Sequence, residues 1–169
     1  MAWQEGAYTY HGVKTLPRTA AIQHPESSYC WAYCLGALLD VGWGEIAVHA
    51  PLDSMVRGLE FTGEANNLLL ALNGVAATGK WPKLMLLGGR WYNPAWDADR
   101  LDMRFPQVTA VRGHYVVVLA LGKASGRSDQ VRFWDPLTSL IETVAVSQFA
   151  TRFGPGDQGS FARSTGSGA

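Results

Sequence analysis

The chain is short of cysteine: only Cys30 and Cys34 occur in 169 residues. Two cysteines do not make a disulfide scaffold. They stand four apart in a stretch that reads as helix, where an i, i+4 pair shares a face but aims its Cβ atoms poorly for a bridge. No second ligand pair stands at zinc spacing, so a metal site is not expected. An excess of one charge is also missing, since 14 Lys and Arg balance 14 Asp and Glu and the cations form no run. A nucleic-acid partner is therefore not expected. No apolar stretch reaches the roughly 18 residues of a membrane span, so no membrane partner is expected either. The opening residues MAWQEGAYTYHG have neither a basic region nor an apolar core. No signal peptide is read there. The expected location is the cytoplasm, or a target cell reached through a specialised bacterial secretion system.

What is present is enough for a folded core. Hydrophobic residues make up 47% of the chain, which excludes disorder as a description of the whole. The length fits one domain of about 150 residues. That domain is expected over residues 1–153, with a flexible Gly/Ser-rich tail over 154–169.

Helix signals come first. Ser27 and Ser28 precede the apolar run Tyr29–Val41, and Gly42 follows it, the expected start and stop residues. Residues 63–73 read as a second helix closed by Gly74. Residues 83–87 are too short for periodicity to choose between strand and helix. The aromatic stretch 88–106 holds Trp91, Tyr92 and Trp96. It reads as an irregular segment packed on the core, with cleft lining as the second reading. Strand signals dominate afterwards, over 108–112, 114–121, 130–135 and 140–146. The run HYVVVLAL from His114 is apolar on both faces, as in a central covered strand. Helices followed by strands give an α+β fold, with an N-terminal helical part packed on a C-terminal antiparallel sheet. The first 20 or so residues read as loop with short extended pieces.

Cys30 falls in the first turn of the expected helix. Free backbone N–H groups and the helix dipole there favour the nucleophilic form of a thiol. Cys34, one turn deeper, reads as a small core residue. His114 opens the central strand and Asp135 closes the next one. The linker Gly122–Asp129 reads as a hairpin loop. Folding back around position 125 sets His114 opposite position 136 or 137, with Asp135 close enough to orient the imidazole. A thiol nucleophile needs a base, and the base needs an acceptor to orient it. Cys30, His114 and Asp135 fill those roles. The Cys30 backbone N–H and the Gln23 side chain are candidates for an oxyanion hole. His11, His24 and His49 look isolated and receive no role.

With Gln23, Cys30-Trp31-Ala32, Gly113-His114-Tyr115-Val116-Val117-Val118 and Trp134-Asp135-Pro136 in order, the sequence resembles the papain-like cysteine peptidases of the compact bacterial type. These include avirulence-type effector proteases and double-glycine leader peptidases. Cys-Trp-Ala leans toward the effector branch, because the leader peptidases usually carry Cys-Gly at that point. Phe149 matches an apolar position that often follows in the small members. Gln23 precedes Cys30 by seven residues, where six is the common spacing.

The resemblance implies hydrolysis of a peptide bond in a protein or peptide substrate through a thioester on Cys30. His114 would act as base and then acid, Asp135 would hold the imidazole, and Gln23 with the Cys30 N–H would hold the oxyanion. Trp31 would pack over the site. It implies no metal or organic cofactor. It also suggests a bacterial effector or toxin with a cognate immunity or inhibitor protein. Two other readings stand beside it. One uses the same triad in a glutamine deamidase, transglutaminase-like enzyme or acyltransferase; the other is a papain-like binding module without turnover.

Overall fold

The computed structural model describes residues 2–16, 30–44, 84–87, 91–111, 114–153 and 161–164. Among them are eight strands: β1 (Ala2–Glu5), β2 (Tyr8–Gly12), β3 (Leu84–Leu87), β4 (Gln107–Val111), β5 (His114–Lys123), β6 (Gln130–Asp135), β7 (Leu140–Ala145) and β8 (Phe161–Ser164). Three helices accompany them: α1 (Cys30–Leu39), α2 (Ala98–Arg104) and α3 (Val146–Phe153). All eight strands join one antiparallel sheet, and α1 packs across β5 and β4. The fold is α+β, as the order of sequence signals implied.

Strand β5 is the spine. Its first half pairs with β4 and its second half with β2 along one edge, while β6 runs along the other. Every residue from Tyr115 to Gly122 is buried, which is why this stretch is apolar on both faces. Tyr115, Val117 and Leu119 join the core under α1. Val116, Val118 and Leu121 join a second core on the opposite face. The change of parity between 119 and 121 follows from a bulge between Val118 and Ala120, which inserts one residue and flips the alternation. Gly12 meets the chain at this bulge. Its φ is +135°, and a Cβ there would lie 2.1 Å from the Leu119 carbonyl oxygen. Only glycine lets the two backbones approach so closely.

Helix α1 (CWAYCLGALL) is buried over nine of its ten residues. An apolar helix without a polar face belongs in the middle of a fold. It stops two residues earlier than Gly42 suggested. Asp40 takes the left-handed conformation at φ 61°, and the Val41 N–H donates to the Gly36 carbonyl at 2.9 Å. This is the 6→1 bond of a Schellman end, with aspartate in the position glycine usually fills.

Three expectations change. Residues 2–12 form a hairpin that extends the main sheet, with Gly6 in the turn at φ +57°. Residues 161–164, expected within a flexible tail, form β8 between β3 and β4. Residues 84–87 form a strand. The expected helix over 63–73 lies outside the described residues.

The described part of the aromatic segment packs onto the core. Trp91 and Phe105 are buried with Phe133, Phe149 and Phe153 on the face away from α1. The matched apolar position, Phe149, is fully buried there, 4.9 Å from Trp91 and 5.1 Å from Phe133 between ring centroids.

Candidate active site

The site is built where α1 begins, β5 begins and β6 ends. Cys30 is the first described residue of α1 and is only 3% exposed. His114 opens β5 and Asp135 closes β6. β5 and β6 are antiparallel neighbours whose last pair toward this end is Val117↔Trp134. His114 and Asp135 therefore lie at the same end of the two strands. Their contact is direct, with His114 Nε2 2.8 Å from Asp135 Oδ1. The Cys30 side chain lies close enough to His114 to act on the charge of its ring. With Nε2 taken by the carboxylate, the ring has Nδ1 left.

The β6–β7 turn fixes the carboxylate. The Leu137 N–H donates to the same Oδ1 at 2.9 Å, an Asx turn on the Asp-Pro step. The Ser139 N–H donates to the Asp135 carbonyl at 2.8 Å. Sequence reasoning read Asp-Pro as a turn starter but missed the amide two residues on; an Asx turn after Asp-Pro is the signal that reveals it.

Charge follows from these contacts. Burial opposes the imidazolium of His114. The hydrogen bond to Asp135, the nearby Cys30 side chain and both negative charges outweigh it and push the pKa up to about 9. Burial also opposes the carboxylate of Asp135. The His114 hydrogen bond and charge, then the Leu137 N–H, still bring it below its usual value. The neutral-pH pair is therefore imidazolium and carboxylate. Cys34 is the reverse case. Burial, then the charges of Cys30 and Asp135, push its thiol well above the usual range, so it stays protonated and packed in the core.

Of the expected site residues, His114 and Asp135 meet directly, and Cys30 opens α1 close enough to act on the charge of His114. Gln23, His24 and His49 lie outside the described residues. Trp31 is 2% exposed and belongs to the same core cluster as Cys30. His11, which looked isolated, holds Asp102 of α2 through Nδ1 at 3.0 Å. Among the described residues no group of three or more His, Cys, Asp or Glu could hold a metal ion, and no helix is long and apolar enough to cross a membrane.

This geometry finds a counterpart among solved structures. A double glycine motif protease from an AMS/PCAT transporter, solved in complex with the leader peptide, superposes with a TM-score of 0.51. The match covers 91% of this chain and 96% of that one at 16% identity. The fold is that of a papain-like peptidase. No family model matches the sequence, and no curated protein matches it either.

Proposed function

We propose that the chain is a cysteine peptidase that hydrolyses a peptide bond through a thioester on Cys30. The observation that carries this reading is the buried His114–Asp135 contact at 2.8 Å, with the Cys30 thiol near enough to act on the charge of His114. The sulfur attacks the scissile carbonyl and the carbon becomes tetrahedral. The Cys30 backbone N–H and the Gln23 amide hold the oxyanion. His114, already an imidazolium, gives its proton to the leaving amine as the tetrahedral centre collapses to the thioester. Neutral His114 then takes a proton from water, whose oxygen attacks the thioester and releases the acid and the thiolate, restoring the thiolate–imidazolium pair that began the cycle. Asp135 keeps the imidazole in place throughout.

The protease of similar fold carries its double glycine motif name and a bound leader peptide. We extend this to a substrate held as an extended peptide with small residues before the cut. The wider setting proposed is a bacterial effector or toxin acting inside a target cell, with a cognate immunity protein. Its support is the Cys30-Trp31-Ala32 signature. Comparing new protein N-termini in cells expressing wild type or Cys30→Ala tests both levels. New N-termini that need Cys30 are expected. Glutamine deamidation without new termini would select the amide-directed enzyme, and identical proteomes would leave a binding module.

A further inference from the structure

Four large apolar side chains are exposed among the described residues: Trp43, Met103, Leu137 and Leu140. Trp43 stacks on Tyr33 at 4.8 Å between centroids. Two of the four, Leu137 at 42% and Leu140 at 59% exposure, share the turn that carries Asp135. An exposed leucine alone needs no explanation; two on the pinned turn that carries Asp135 do. The Leu137 N–H and His114 Nε2 meet on one oxygen, Asp135 Oδ1, so the backbone of Leu137 lies close to the imidazole. Leu140 opens β7 directly opposite Asp135.

The turn holds its leucines in fixed positions. The Thr138 and Ser139 N–H groups donate to the Asp135 carbonyl, and the Leu140 N–H donates to Thr138 Oγ1 at 3.3 Å. A preset apolar wall loses little freedom on contact. Its size decides the occupant. Two leucines fall far short of the roughly 800 Å² per partner of a stable protein interface, but they match one or two side chains of an extended peptide. His114 supplies the proton to the leaving amine, so residues beside His114 border the segment that departs.

We propose that Leu137 and Leu140 select an apolar side chain in the first two positions after the scissile bond. The proposal rests on the peptidase reading and deepens it. The test is cleavage of a mixed peptide library from a digested proteome, read by mass spectrometry. Purified wild type, Cys30→Ala, Leu140→Ser and the double variant Leu137→Ser/Leu140→Ser are compared. Both leucines are exposed, so serine is expected to leave the fold intact, which melting by circular dichroism checks. Wild type should enrich Leu, Ile, Phe or Met after the cut by about fivefold or more. Leu140→Ser should reduce that enrichment and the double variant should bring it within about twofold of background. Wild-type cleavage with no apolar preference, or a preference equal in the folded variants, overturns this proposal and leaves the peptidase standing. Absence of any Cys30-dependent cleavage overturns the peptidase reading and this proposal together.

Discussion

Two histidine–aspartate pairs lie among the described residues, and they differ in what surrounds them. His114 and Asp135 meet at 2.8 Å with side chains 14% and 6% exposed. His11 and Asp102 meet at 3.0 Å, but the Asp102 side chain is 37% exposed. The first pair joins the ends of two adjacent strands, and the Cys30 side chain lies close enough to act on the charge of its histidine. The second joins β2 to α2, through Nδ1 of its imidazole. A carboxylate beside an imidazole alone therefore does not mark a site. The first pair adds burial, a second anchor on the carboxylate in the Leu137 N–H and a nearby thiol.

The largest expected contrast is in turnover. Cys30→Ala and His114→Ala should each abolish Cys30-dependent cleavage, a loss of about 10³-fold or more. His11→Ala should keep cleavage within about twofold of wild type. A His11 variant as inactive as the His114 variant would erase the distinction. Removing the orienting carboxylate comes next. Asp135→Asn should slow cleavage by about 10²-fold or more and lower the pKa of His114, read by NMR of the ring protons. Asp102→Asn should leave the His114 titration unmoved.

Stability against pH sharpens the comparison further. The folded pKa of His114 is raised to about 9 above an unfolded value of about 6.5. Its stabilisation is thus fully present below about pH 6.5 and lost as pH rises through about 9. Asp135 is lowered, so its contribution is present above its unfolded value near 4 and lost as pH falls through the folded one. The stability gap between wild type and His114→Ala should therefore shrink on raising the pH from 6 to 10 in chemical denaturation. A gap that widens would contradict the assigned charge. The smallest of these effects concerns Gly12, where β2 meets the β5 bulge. Gly12→Ala should destabilise by roughly 1–3 kcal/mol, seen as a lower midpoint in urea. An unchanged midpoint would contradict the close approach to Leu119.

How far the sequence carried this account depends on chain distance. The Cys30 helix, the β5–β6 hairpin and the meeting of His114 with Asp135 were legible, because a short polar loop between two apolar runs sets a register by local rules. The His11–Asp102 pair was not, since its partners stand 91 residues apart on elements brought together only by the whole fold. Strand β8 was hidden for a similar reason. Its residues Phe161–Ser164 sit in a Gly/Ser-rich stretch, and the pairing comes from β3 and β4 far earlier in the chain. The end of α1 misled because Asp40 occupies the left-handed position two residues before the glycine that seemed to mark it.

The central claim is that the His114–Asp135 pair activates one of two cysteines on the same helix. The direct measurement is the rate of iodoacetamide alkylation at Cys30 and Cys34 by peptide-resolved mass spectrometry, at pH 6 to 9, in wild type and His114→Ala. The account predicts Cys30 labelling at least about tenfold faster than Cys34 in wild type at pH 6, and a fall of at least about tenfold at Cys30 in the variant. Equal labelling of the two thiols in folded wild type, or a Cys30 rate untouched by loss of His114, would contradict it.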